Sequence, residues 1–192
     1  MGLGNPGAEY ANTRHNVGYR VVDELARCFP VQRWRTKHNA RQAFVPQKRV
    51  LLIAPTSFMN ASGVPIRLIA SWHRVPPQSI LVISDDIDLP FGKLRMRAQG
   101  GHGGHNGLRS VVATIGDGFP RLRVGIGRPE RDSIEHVLAP FTERERAFIP
   151  DILSASTQAA QLWLDDGIER AMQFVNSWTR EDRGEPGAGG QQ

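Results

Sequence analysis

The strongest constraint on this chain is an alternation of short aliphatic runs with longer segments of helical period. VLLIA (Val50–Ala54), ILVIS (Ile80–Ser84) and LRVGI (Leu122–Ile126) are rich in branched and aliphatic residues and have strand length. A run around Phe44 and Val45 is a weaker candidate. Elsewhere apolar residues recur every three or four positions. Val17, Val21, Val22, Leu25 and Phe29 mark a helix over 17–28, and Ile66, Ile69, Ala70 and His73 mark one over 61–73. Residues 104–115 form a third helix, and 143–178 a long fourth with a break at Gly167. Strands alternating with helices predict an α/β layer architecture. ILVIS runs straight into Asp85 and Asp86. A buried strand of this kind ends at a rim where ligands bind, so polar residues there are site candidates.

Bulk properties narrow the setting. The 192 residues, 40% of them hydrophobic, suit one domain with a real core, expected over 1–178. Residues 179–192, polar and rich in glycine, are expected to be a disordered tail. No apolar run approaches the ~18–20 residues of a membrane span, and MGLGNPG lacks the layout of a signal peptide. Cys28 has no second cysteine to pair with and is expected to be a buried structural thiol on the first helix, in a reducing cytoplasm. The net charge of +5 points to a polyanionic partner. Lys37, Lys48 and Lys93 are the only lysines, and arginine forks suit phosphate oxygens, yet charge alone leaves nucleic-acid binding open.

Five segments could carry chemistry. In GLGNPG, Gly2, Gly4 and Gly7 match the dinucleotide fingerprint. No strand precedes them, however, and the polar stretch AEYANTRHN delays the helix to about Val17, so a tight turn presenting Asn5 is the better reading. In TRHNVG, His15 stands near a helix N-terminus, whose dipole disfavours the imidazolium. In SDDIDLP an aspartate could bind a metal or accept from an imidazole N–H. In GGHGGHNG, His102 and His105 have metal-like spacing but lack a local carboxylate, and Asn106 can cap the next helix or face a substrate. In PTSFMNASG, Phe58 and Met59 suit a core or an apolar wall, with Asn60 as a polar reader.

Taken together, GLGNPGAEYANTRHNVG, PTSFMNASG, DDIDLPFGKLRMR, GGHGGHNGLRS and RLRVGIGRP resemble, in order and spacing, the bacterial peptidyl-tRNA hydrolases. The likeness covers roughly residues 2 to 175. It implies a single α/β domain whose mixed sheet is flanked by helices, and the alternation of strands and helices adds the expectation that this twisted sheet is mostly parallel. The implied activity is hydrolysis of the ester joining a peptide to tRNA, by a cytoplasmic monomer with no cofactor, no metal, no membrane and no obligate protein partner. It further implies that His15 is the catalytic base, that Asp85 stabilises its basic form, and that Asn5 separates peptidyl-tRNA from free aminoacyl-tRNA. Tyr10, Phe58, Asn60 and Asn106 match positions contacting the peptide and the tRNA 3′ end, and Arg97 and Arg123 match the pair clamping the 5′ phosphate of the acceptor stem.

The sequence departs from the family pattern in three places. The aliphatic strand that opens other members and would hold Asn5 is missing, which points to truncation or a misassigned start. Ser84 stands where many members carry histidine, and Asp86 where glutamate is common; both are expected to leave the catalytic set untouched. Rival readings are an RNA-binding relative without turnover, a metallohydrolase built on His102 and His105, and a nucleotide-cofactor enzyme.

Overall fold

The computed structural model describes residues 1–128 and 133–179; the expected disordered tail lies almost wholly outside them. Its strands are β1 (Arg35–Lys37), β2 (Ala40–Val45), β3 (Val50–Pro55), β4 (Val82–Asp86), β5 (Leu94–Arg97) and β6 (Arg121–Gly125). Its α-helices are α1 (Val17–Cys28), α2 (Gly63–His73), α3 (Asn106–Ile115), α4 (Ser133–Leu138), α5 (Glu143–Arg146), α6 (Ile149–Asp166) and α7 (Ile168–Ser177).

The mixed α/β single domain forms as expected, with a different balance of pairing. β1–β2–β3 is an antiparallel meander. In the second ladder, ordered β4–β6–β5, only β4 and β6 run parallel. The pairing is therefore mostly antiparallel among the described residues: tight turns join β1, β2 and β3, and β5 runs antiparallel to β6 although α3 lies between them in sequence. The open edges of β3 and β4 face each other, and Met1–Leu3 alone joins them. Gly2 N–H donates to Ile53 O at 3.0 Å, Leu3 N–H to Ile83 O at 2.9 Å and Ile83 N–H to Met1 O at 2.8 Å. Among the described residues no full strand occupies this position. Beneath the bridge lies an apolar groove of ≈ 680 Å³, lined by residues including Leu25, Leu52, Leu81 and Trp163.

Local sequence explains the rest. α1 buries Val17, Val21, Val22 and Leu25 against the core, the 3.6-residue stripe that marks it in the sequence. Gly18 lets this helix sit directly on the sheet, since a Cβ there would lie 2.5 Å from Ile83 O and 2.6 Å from Leu3 N. The long C-terminal stretch divides into α5, α6 and α7. Pro150 suits the first turn of α6, and Gly167, at φ 88°, ends it. Cys28 is exposed, against expectation, because it falls off the buried stripe at the last residue of α1. No described helix is long and apolar enough to cross a membrane.

The Met1 ammonium is buried, donating to Leu81 O at 2.7 Å, and burial lowers its pKa from 8.0 to about 5. Between these values the unfolded chain binds the extra proton, so stability should climb as pH rises from about 5 to about 8. The three-unit shift corresponds to a gain of roughly 4 kcal/mol. Acetylating the α-amino group should flatten that part of the Tm–pH curve and raise Tm at pH 5.5. Superimposable curves for the free and acetylated chains would contradict the burial of the charge.

Candidate active site

β4 is buried along its whole length and ends in two aspartates at the rim of the sheet. Successive side chains on a strand point to opposite faces, so the pair divides. Asp85 meets two imidazoles: His15 Nδ1 lies 2.8 Å and His105 Nε2 2.9 Å from the same carboxylate oxygen, Oδ1. The carboxylate is 2% exposed, and burial alone would raise its pKa. The imidazoles of His105 and His15 outweigh that penalty through charge and hydrogen bonding, and hold Asp85 well below the usual carboxylate range. Asp85 is thus a buried, ionised acceptor shared by two rings whose centroids are 5.0 Å apart.

Each partner arrives from a defined local structure. His15 sits in a short 3₁₀ turn, Arg14–Asn16, immediately before α1. Arg14 anchors that turn, donating to Pro140 O at 2.9 Å and to Glu145 Oε2 at 2.6 Å with its side chain only 6% exposed. His105 is the N-cap of α3, accepting at Nδ1 from Gly107 N–H at 3.0 Å and Leu108 N–H at 3.2 Å. The cap is therefore His105 and not Asn106. Asn106 is exposed, and its Oδ1 accepts from Arg109 Nη1 at 2.9 Å.

Asn5 is buried beside this group, clamped by Asn16 and by the backbone of Met59. Its backbone N–H donates to Asn16 Oδ1 at 2.8 Å, and Asn16 Nδ2 donates back to Asn5 O at 2.9 Å. Its side-chain Oδ1 accepts from Met59 N–H at 2.8 Å. The GLGNPG glycines serve packing here, not a pyrophosphate: a Cβ on Gly4 would meet the Tyr19 ring at 2.7 Å. Tyr10 and Phe58 meet edge to face at 6.4 Å, and Phe58, next to Met59 in the chain, is 59% exposed and offers an apolar surface. Asn60 is exposed on the adjacent turn, outside the buried cluster.

The basic pair lies on the β5–β6 ladder. Arg95 pairs with Arg123 and Arg97 with Arg121, so all four arginines share one face. Arg97 is exposed, whereas Arg123 is partly covered and forms an ion pair with Asp86 at 2.8 Å. Asp86 therefore stands clear of His15 but does hold a member of the expected tRNA clamp. Arg121 is a structural residue, its guanidinium stacked on Phe119 at 4.1 Å and donating to Gly101 O and Asp117 O at 2.8 Å.

His15, Asp85 and His105 also have the composition of a metal site, their ligand atoms lying within 4.8 Å of one another. His102 is not among them; its Nδ1 accepts from Gly104 N–H. As arranged, the facing atoms are bridged by protons. His105 could offer Nε2 to a metal only by moving its proton to Nδ1, which would leave the Gly107 and Leu108 amides without an acceptor. The residues fit a metal poorly and a proton-transfer site well.

A buried carboxylate hydrogen-bonded to an imidazole is an arrangement suited to general acid–base chemistry. Comparison with known proteins specifies the kind. The family model described as peptidyl-tRNA hydrolase matches residues 1–183. A peptidyl-tRNA hydrolase from Syntrophomonas wolfei is 39% identical over 92% of this chain and 98% of its own length. One from Chloroflexus aggregans is 41% identical over 92% and 97%. A crystal structure of peptidyl-tRNA hydrolase from Acinetobacter baumannii superposes with a TM-score of 0.87 at 32% identity, covering 93% of this chain and 94% of that one. The chain belongs to the peptidyl-tRNA hydrolase family, a family of hydrolytic enzymes.

Asn16→Ala should destabilise the fold by roughly 1–3 kcal/mol for each Asn5 backbone group it leaves unpaired. Urea denaturation checks this, and a midpoint equal to that of the parent would show that Asn16 does not hold Asn5.

Proposed function

We propose that this chain hydrolyses the ester bond of peptidyl-tRNA in the cytoplasm, acting as a monomer without a metal and releasing peptide and tRNA. The observation carrying this reading is the 2.8 Å contact of His15 Nδ1 with the ionised Asp85. A carboxylate needs a donor, so the His15 proton resides on Nδ1 and Nε2 keeps its lone pair. Nε2 then takes a proton from water as the oxygen attacks the ester carbonyl, and Asp85 offsets the charge developing on the ring. As the ester C–O bond breaks, that proton passes from Nε2 to the departing ribose oxygen, which leaves as the hydroxyl. A base so positioned contributes roughly 10²–10⁴-fold. Asn60, exposed on the turn after β3, and Asn106, exposed at the first residue of α3, are the candidate donors to the peptide and the developing oxyanion.

Selectivity for N-blocked substrates follows from Asn5. Met59 N–H occupies its Oδ1, which leaves Nδ2, a donor, as the side-chain atom Asn5 can offer a substrate. An N-acylated residue supplies a carbonyl for that donor. A free α-ammonium is itself a donor and would lose its hydration against another one, so aminoacyl-tRNA is disfavoured. Tyr10 and Phe58 offer apolar and stacking surface to the peptide and the tRNA 3′ end. Arg97 and Arg123, with Arg95 beside them, suit the 5′ phosphate of the acceptor stem. Phosphate contacts carry no sequence information, which suits an enzyme accepting most tRNAs. The 1–178 span acts as one catalytic domain.

The ligand-like grouping of His15, Asp85 and His105 supports one rival, a metallohydrolase. Both readings are separated by following release of N-acetyl-aminoacyl label from tRNA. His15→Ala should lower kcat by about 10²–10⁴-fold while tRNA affinity stays within about twofold, and EDTA should leave the parent rate unchanged. Full turnover by a folded His15→Ala chain would remove His15 from the role. Loss of activity in EDTA, restored by a divalent metal, would establish the rival. tRNA binding without hydrolysis by the parent would leave an RNA-binding protein.

A further inference from the structure

His105 joins two structures that sequence keeps apart, the N-terminus of α3 and the carboxylate at the end of β4. Its side chain is 8% exposed and both ring nitrogens are engaged. Nδ1 accepts two backbone N–H groups, from Gly107 and Leu108, and a nitrogen accepting hydrogen bonds carries a lone pair. The single proton of the neutral ring is therefore on Nε2, where it is donated to Asp85 Oδ1 at 2.9 Å. His15 meets the same oxygen through its other nitrogen, Nδ1. The two rings must hold opposite tautomers, Nε2–H on His105 and Nδ1–H on His15.

We propose that His105 is a positioning residue, whose tautomer, set by the backbone amides of α3, fixes the Asp85 carboxylate and through it the tautomer of His15. This rests on the reading of His15 as the base and assigns His105 a part that its glycine-rich surroundings conceal. The donor from His105 holds Oδ1 at the corner between the rings and stops the carboxylate from rotating. Were Asp85 to turn, His15 could place its proton on Nε2 and lose the lone pair that receives a proton from water. Histidine is also an uncommon N-cap, where Ser, Thr, Asn and Asp lead. Those shorter side chains can accept from the helix amides but have no atom at the place of the imidazole Nε2. Only histidine both caps α3 and reaches Asp85.

Two substitutions separate these roles. Asn at position 105 puts an amide oxygen where Nδ1 stands and keeps the cap, but deletes the donor to Asp85. Gln at position 105 carries an amide nitrogen to the place of Nε2 and keeps the donor, but loses the cap. The proposal expects His105→Asn to stay folded with the α3 cap intact and a Tm lowered by the bond lost at Asp85, to lose roughly 10- to 100-fold in kcat on N-acetyl-aminoacyl-tRNA, the loss of one hydrogen bond to a charged group, and to leave KM nearly unchanged. His105→Gln should melt earlier yet retain most of kcat. Long-range ¹⁵N imidazole spectra of the parent should show opposite tautomers for the two rings, and in His105→Asn the His15 signal should move away from pure Nδ1–H. Parent-like activity and an unmoved His15 signal in His105→Asn would overturn the proposal and leave His105 a helix cap. The spectra also decide the matter if His15→Ala proves active: opposite tautomers that collapse in His105→Asn would uphold the positioning link, while the base assignment alone would fall.

Discussion

A single oxygen atom, Asp85 Oδ1, organises this molecule: two imidazoles from distant segments converge on it in a buried setting. An unpaired carboxylate there would take up a proton, because burial penalises the charge. The two rings reverse that outcome and hold Asp85 ionised. An ionised acceptor in turn dictates which nitrogen of His15 bears the proton. The chemistry proposed for the site is thus a consequence of hydrogen-bond accounting at one buried atom, and the surrounding fold supplies the three chain segments at the required separation.

Those segments are brought in by backbone constraints of different kinds. β4 supplies Asp85 at its end, as parallel-paired buried strands do. α1 brings His15 close because Gly18 lets the helix rest on Ile83 and Leu3 without an intervening side chain. The loop after Leu3 is set by the reciprocal bonds between Asn5 and Asn16, and by Met59 N–H on the Asn5 carboxamide. Asn5 is therefore held by side chains from the adjoining turns, while the segment before it contributes only the short bridge from Met1 to Leu3 across the split in the sheet.

Much of this was legible in the sequence, for reasons visible in particular residues. ILVIS followed by two aspartates announces a buried strand ending at a rim, and the valine stripe of α1 has a clean helical period. β5 was overlooked although LRMR alternates buried and exposed residues, a four-residue signal easily lost beside a glycine-rich loop. β1, exposed throughout, carries no apolar pattern at all; its hairpin turns on His38 and Asn39, both at positive φ. The expected parallel majority failed because alternation of strands and helices does not reveal which neighbours pair. Of the site, His15, Asp85 and Asn5 are singled out by motif resemblance. His105 was noticed only for its spacing to His102, since its true partner lies twenty residues away. Asn16 and Arg14 gave no signal beyond their neighbourhood to His15. The pairing of Asp86 with Arg123 depends on the register of β4 against β6, which no local pattern contains.

The central claim is that an ionised Asp85 makes His15 the base for ester hydrolysis, and Asp85→Asn tests it most directly. Asn preserves the shape and buried volume of the side chain and removes the charge that fixes the imidazole. With folding verified by Tm and tRNA affinity measured on the same preparation, kcat on N-acetyl-aminoacyl-tRNA should fall by about 10²–10⁴-fold while affinity is retained. Turnover within about twofold of the parent would contradict the account, since hydrolysis would then proceed without the charge on which the site is built.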